Sequence, residues 1–138
     1  MTLSSKHFDE LSYYTFAHPD ANYFIHQLVV DAQTAQTADN STKKIGLVFA
    51  VVGLYLLNEK GYTGRKIQQA HAHLSQHKEA LPEISLPTKR GDITIEDVLA
   101  STEDRDEQIK AWSASVWQAY EESWEVIRQY CERWLPGL

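Results

Sequence analysis

The spacing of apolar residues along this chain follows helical periods. Residues 5–15 are a short amphipathic stretch with apolar side chains near helical spacing, which predicts a first helix. A second helix is predicted from about Pro19 to Thr37, because a His-Pro-Asp sequence opens it and proline is favoured in a first helical turn. The N-terminal quarter of the chain is therefore expected to form two helices.

The run IGLVFAVVGLYLL, residues 45–57, is apolar on every side of a helix. Such a helix must be buried all round. It is shorter than the roughly 20 residues needed to cross a bilayer. Residues 40–42, Asn-Ser-Thr, are interpreted as its N-terminal cap. Two interpretations remain open: this is the central helix of a bundle, or part of its surface joins the second helix in a dimer interface.

Turn and cap residues divide the middle of the chain. Gly61 is expected to end the central helix, and Thr63 to cap a fourth helix that continues to about Leu81. From Pro82 to Asp92 the pattern is irregular and indicates an extended connection. The sequence TIED, beginning at Thr94, approximates a capping box that opens a short helix.

The longest predicted helix runs from a cap at Ser101 or Thr102 to about Leu135, before a Pro-Gly pair. At 100° per residue its apolar side chains occupy an arc of roughly 140°. These residues, predicted to be core, are Ile109, Trp112, Val116, Trp117, Tyr120, Trp124, Ile127, Tyr130, Cys131 and Trp134.

Together these patterns predict an all-α fold, a single-domain helical bundle over residues 1–138, with about six helices and a long C-terminal helix. Thirteen basic and nineteen acidic residues give a net charge of −6, and no basic cluster is larger than two residues. Nucleic acid and anionic membrane are therefore poor partners. The single cysteine and the polar N-terminus, which lacks a signal-peptide pattern, indicate a cytoplasmic protein.

Two polar residues of the second helix interrupt an apolar run. Asp31 lies at the edge of an apolar stripe beside Gln27, and His26 projects about 140° away from it. Asp31 either belongs to a solvated stripe, or is a buried anchor satisfied within the protein, or has a ligand-binding or catalytic role, since an unpaired buried carboxylate is costly. His26 is either a satisfied core or interface histidine or a ligand-binding one.

The run HAHLSQH places His73 and His77 one helical turn apart, a spacing at which two imidazoles can bind one divalent transition metal. No third ligand is fixed by spacing, and the HExxH pattern is absent. Exposed histidines and a metal site completed by another helix or subunit both fit this pattern. No glycine-rich phosphate loop and no nucleophile elbow are present.

Three stretches resemble a bacterial family of small all-helical proteins of unknown function: YFIHQLVVDAQTAQ (23–36), GDITIEDVLAS (91–101) and WSASVWQAY (112–120). The likeness extends from about Phe16 onward. In that family a histidine is followed by aspartate after five residues and by glutamine after ten. The resemblance thus implies an all-helical fold and points to His26, Asp31 and Gln36 as candidate ligand-binding residues.

The family pattern continues with further histidines, and many members begin with Cys-x-x-Cys. This chain has Thr37 after Gln36, no histidine between residues 38 and 70, and no N-terminal cysteines. It departs from the family at the positions from which a metal site would be built.

Two function hypotheses follow, and whether the chain is an enzyme stays open. The first is a non-enzymatic small-molecule-binding or protein-interaction module acting as a homodimer, because the helices offer much apolar surface and no catalytic set. The alternative is a metal-dependent hydrolase or transferase of four-helix-bundle type, with ligands drawn from His26, Asp31, His73 and His77.

Overall fold

The computed structural model describes residues 3–17 and 23–137, with side chains described from residue 6 onward. The regular structure of these residues is entirely helical, which confirms the all-α prediction. Two short 3-10 segments, Ser75–Ala80 and Glu121–Ser123, accompany the α-helices. The α-helices are α1 (Leu3–Ala17), α2 (His26–Thr37), α3 (Lys44–Lys60), α4 (Gly64–Leu74), α5 (Ile95–Ala100), α6 (Arg105–Ala119) and α7 (Trp124–Trp134).

Helix α3 is the centre of the bundle. It packs against α2, α4, α6 and α7, and most of its apolar side chains are buried. Gly61 ends it with φ of 68°, a left-handed conformation that glycine adopts without strain. The N–H of Gly61 donates to the carbonyl of Leu57 at 3.1 Å, as in an αL cap, and the N–H of Tyr62 donates to the carbonyl of Leu56 at 3.0 Å. The surface that suggested a dimer interface is thus mostly used within one chain.

None of the helices in the described part of the chain is both long enough and apolar enough to cross a bilayer.

The predicted long C-terminal helix is present as two consecutive helices, α6 and α7, joined by a 3-10 turn after Tyr120. The carbonyl of Trp117 accepts from the Tyr120 N–H at 3.0 Å and from the Trp124 indole N–H at 2.8 Å. The indole thus replaces a backbone donor where the helix is interrupted. The predicted inner stripe is confirmed, since all of its residues are buried or packed partly buried against the core.

Helix α2 begins later than predicted. The proposed start at His18-Pro19-Asp20 lies outside the described residues. Tyr23 to Ile25 form a turn rather than helix, and Phe24 has φ of 58°. A left-handed conformation at a residue with a side chain is unfavourable by about 1 kcal/mol or more.

Two predicted caps are confirmed. The Thr63 hydroxyl accepts from the Lys66 N–H at 3.1 Å. Thr94 and Asp97 form a complete capping box at the start of α5.

Two other caps were wrong, and α4 ends early. The residue before α3 is Lys43, not one of the predicted residues 40–42, and the residue before α6 is Asp104, not Ser101 or Thr102. Neither Lys43 nor Asp104 makes a side-chain cap bond. Helix α4 stops at Leu74 and continues as the 3-10 segment, rather than reaching Leu81 as an α-helix.

Residues 81–94, here called the strap, form the irregular connection that the sequence predicted. Cys131 lies in the core with no exposed surface, as its position in the apolar stripe predicted. Burial raises the pKa of its thiol to about 12, so the nucleophilic thiolate does not form near neutral pH.

Candidate functional site

The three residues singled out on α2, His26, Asp31 and Gln36, follow one another at five-residue intervals. That spacing separates neighbours by about 7.5 Å along the axis and about 140° around it. In the structure each of the three contacts a different part of the bundle, so they do not form one cluster.

Gln36 binds the strap and α6. Its side-chain N–H donates to the carbonyl of Ile93 at 2.8 Å and to that of Arg90 at 3.3 Å. Its Oε1 accepts from the Trp112 indole N–H at 2.8 Å. Because its amide is used on both sides, Gln36 is a structural clamp between α2, α6 and the strap.

The carbonyls at the C-terminal end of α2 have further donors. The Arg90 guanidinium donates to the carbonyls of Ala35 and Gln36 at 3.1 and 3.3 Å. The Tyr120 hydroxyl donates to the carbonyl of Ala35 at 2.6 Å, and burial raises the pKa of Tyr120, which keeps this donor protonated. Carbonyls of a last helical turn lack partners within the helix, so these bonds satisfy them. Sequence reasoning missed Arg90, which has no local signal.

Asp31 is enclosed between α2 and α3, with 3% of its surface exposed. Its Oδ1 accepts from the Gln27 side chain at 3.0 Å, while Oδ2 has no hydrogen-bond partner among the described residues. The carboxyl group fills the space left by the missing side chain of Gly53. A Cβ at position 53 would lie 1.9 Å from Oδ2. The interpretation of Asp31 as a solvated residue is therefore wrong.

Burial raises the pKa of Asp31 well above its ordinary value of 3.8, and the hydrogen bond from Gln27 opposes that rise only in part. The acid is therefore favoured in its neutral form. The folded chain binds this proton more tightly than the unfolded chain does, so the contribution of Asp31 to stability is complete below pH 3.8 and is lost as pH rises through the folded pKa. A carboxyl enclosed in this way contacts a ligand only if α2 and α3 separate.

His26 has one ring nitrogen fixed by α1. The Thr15 hydroxyl donates its single hydrogen to the carbonyl of Ser12 at 2.9 Å. The Thr15 oxygen, 2.9 Å from Nδ1 of His26, must therefore accept from that nitrogen. This assigns the hydrogen to Nδ1 and leaves the lone pair on Nε2, which has no partner among the described residues.

Three phenylalanine rings surround the His26 imidazole. Its ring centroid lies 4.3 Å from that of Phe16, 6.1 Å from that of Phe24 and 6.3 Å from that of Phe8. Burial lowers the pKa of His26 below 6.5, so the ring is neutral at pH 7. The imidazole is only partly buried, and Phe16 is 61% exposed. We call Phe8, Thr15, Phe16, Phe24 and His26 the His26 niche.

The strained residue Phe24 belongs to this niche, and α4 holds it in place. The Arg65 N–H donates to the carbonyl of Tyr23 at 2.9 Å, and the carbonyl of Phe24 lies 1.9 Å from where a Cβ on Gly64 would be. Only glycine permits this approach of the two backbones. Strained conformations held by their surroundings are concentrated at functional sites.

His73 and His77 are neighbours, with ring centroids 6.0 Å apart. They are not on one continuous α-helix, because α4 ends at Leu74 and His77 has non-helical backbone angles. The His77 ring stacks on Trp134 at 4.0 Å. In the described part of the chain, no group of three His, Cys, Asp or Glu side chains could hold a metal ion. The predicted ligands of a metal-dependent enzyme therefore do not converge there.

His71, on the other flank of α4, is partly buried and is held by a backbone carbonyl of α3. Its Nε2–H donates to the carbonyl of Phe49 at 2.7 Å, and the two rings stack at 5.1 Å. Burial lowers the pKa of His71 from 6.5 to about 4, although the hydrogen bond to Phe49 opposes this. The structure therefore holds a neutral, structural imidazole at this position.

We expect acid to destabilise the protein through His71. Its pKa is depressed in the folded chain, so its contribution to stability is complete above pH 6.5 and is lost as pH falls towards about 4. The loss is expected to reach about 3 kcal/mol. Chemical denaturation at several pH values in this range measures the free energy of unfolding. This free energy should decline less with falling pH in His71→Gln than in the wild type. His73→Gln, at an exposed site on the same helix, is the control. If the free energy of unfolding fell equally with pH in the wild type and in His71→Gln, acid would not act through His71.

Comparison with known proteins gives a family without an assigned activity. No curated protein and no solved structure matches the chain. A family model described as a family of unknown function, DUF5946, matches residues 5–121, which extend from the first turn of α1 past the end of α6 and include the His26 niche. The chain therefore belongs to the family of unknown function DUF5946.

Proposed function

We propose that this protein is a non-enzymatic small-molecule-binding module whose ligand site is the His26 niche. The observation that supports this is a neutral imidazole whose tautomer is fixed by Thr15 and whose Nε2 lone pair has no partner among the described residues. Of the three residues singled out on α2, Gln36 is used in structural bonds and Asp31 is enclosed, whereas His26 is partly exposed and keeps a ring nitrogen that no other described residue bonds.

The niche selects for a particular chemistry. Among the described residues, the side chains that bond to His26 or pair with its ring are Thr15 and three phenylalanines, and the Arg65 guanidinium lies behind them, 4.9 Å from the Phe24 ring centroid. Aromatic rings favour a flat apolar partner in offset or edge-to-face packing. The imidazole accepts one hydrogen bond. The matching ligand is a small aromatic molecule with one O–H or N–H donor, such as a phenol or an indole.

The test is a titration of the purified protein with phenol and with indole, followed by NMR of the imidazole nitrogens. Binding should shift the Nε2 resonance of His26 and leave its Nδ1 bonded to Thr15. His26→Phe keeps the apolar ring but removes the acceptor, so affinity should fall by about three- to tenfold. His73→Phe, which is remote from the niche, should bind like the wild type.

Melting curves check that both variants are folded. The proposal fails if neither compound moves the Nε2 resonance at millimolar concentration, or if His26→Phe binds as tightly as the wild type.

A second candidate is association into a homodimer through α1. Tyr13 and Phe16 are the large hydrophobic side chains left exposed in the described residues, 77% and 61% respectively. They lie three residues apart, so they share one face of the helix. Sedimentation should show that the wild type is a dimer and that the double variant Tyr13→Ser, Phe16→Ser is a monomer. The variant His26→Phe should remain a dimer. A wild-type monomer at all concentrations would refute this candidate.

A cytoplasmic location belongs to the same proposal and is supported by the free, buried Cys131. The bacterial origin implied by the resemblance stays a prediction.

A further inference from the structure

A cleft lies beside α4, and none of its lining residues belongs to the His26 niche. It has a volume of about 280 Å³ and is formed between α4 and the end of α7. This volume is near the lower limit for ligand pockets, so the cleft suits a molecule of a few heavy atoms. Two of its lining residues, Leu135 and Pro136, lie beyond residue 121, where the family match ends.

One face of α4 supplies the polar wall of this cleft. Lys66, Gln69 and His73 line it, and their spacing of three and seven residues places them on one side of the helix. Ala70, Leu135 and Pro136 provide the apolar wall. Each of the three polar side chains offers an N–H donor.

The charge of the lining is opposite to that of the chain. The protein has a net charge of −6, yet none of the cleft residues is acidic. The Lys66 ammonium lies 4.9 Å from the ring centroid of Tyr62, which places it at the cleft wall. No carboxylate in the described part of the chain forms an ion pair with Lys66. The cleft thus combines a cation that has no carboxylate partner among the described residues with amide and imidazole N–H donors and an apolar surface.

We propose that this cleft binds a small organic acid, with its carboxylate against Lys66, Gln69 and His73 and a short apolar tail against Ala70, Leu135 and Pro136. A carboxylate accepts hydrogen bonds from several donors at once, and a charged donor strengthens them. This site is independent of the His26 niche.

The test compares butyrate with butyramide, which has nearly the same shape but no charge, by NMR titration of the full chain. Butyrate should shift the backbone resonances of α4 and of residues 135–136, and butyramide should bind at least about tenfold more weakly. Inorganic phosphate, an anion without a tail, should also bind more weakly than butyrate.

Lys66→Gln should weaken butyrate binding by about tenfold, because it removes the charge but keeps an N–H donor. Lys78→Gln removes an exposed lysine outside the cleft and should have no effect. Equal binding of butyrate and butyramide, phosphate binding as tight as that of butyrate, or an unchanged affinity in Lys66→Gln would overturn the proposal. Unaltered binding of phenol or indole in Lys66→Gln would show that the two sites are separate.

Discussion

Replacing Gly53 with alanine is expected to lower the free energy of unfolding by about 4 kcal/mol, although alanine is the better helix former. The new Cβ would lie 1.9 Å from Oδ2 and 2.5 Å from Cγ of Asp31. Asp31 has almost no exposed surface, so its carboxyl group cannot move into solvent. Either the carboxyl loses its bond from Gln27 or α2 and α3 separate, and both outcomes are costly. Urea denaturation measures the difference.

Two further variants identify the cause. Gly46 lies on the same helix with nothing within 4 Å of its missing Cβ, so Gly46→Ala should stabilise the protein by up to about 1 kcal/mol. Asp31→Ala removes the clashing atoms, and Gly53→Ala in that background should cost little. A double-mutant cycle should therefore give a coupling of several kcal/mol. Additive effects would show that the carboxyl and Gly53 do not compete for one space.

Replacing Gln36 with alanine is expected to cost about 3 kcal/mol or more and to loosen the strap. The change leaves the buried Trp112 indole N–H without its acceptor and removes the donor to Ile93. Each unsatisfied buried group costs about 1–3 kcal/mol. Denaturation measures the total, and amide hydrogen exchange should show faster exchange in the strap than in α3.

Gln36→Glu distinguishes the bond of residue 36 with Trp112 from its bond with the strap. It keeps an acceptor for Trp112 but loses the donor to the strap, so strap amides should exchange as fast as in Gln36→Ala. Gln69→Ala, at an exposed position of α4, is the control and should change neither quantity. If the strap amides of Gln36→Ala exchanged hydrogen at the wild-type rate, Gln36 would not be the residue that holds the strap in place.

The helices that local signals define were predicted well. An apolar run on every side fixed α3 as the centre of the bundle, Gly61 ended it, and the Thr94 capping box opened α5. These features depend on residues within one or two turns of each other. The interruption at Tyr120 was not predicted, because the apolar period continues across it, and the Trp124 indole bonded to the Trp117 carbonyl has no sequence signature.

The candidate site was predicted less completely, because its decisive contacts join distant segments. The spacing on α2 identified His26 and Asp31 as unusual and placed Gln27 beside Asp31, which the structure confirms. The space at Gly53 depends on how α2 and α3 align, and the bond of Thr15 to His26 depends on where α1 packs. Neither can be read from helical periodicity.

Cys131 is a natural reporter of core opening, so no further cysteine has to be introduced. It is the single cysteine of the chain, and its thiol has no exposed surface. A maleimide or disulfide reagent therefore reacts only in molecules whose core has opened, and the labelling rate under native conditions measures how often that happens. Local fraying of α1 would leave this rate unchanged, while detachment of α7 or opening of the whole bundle would set it.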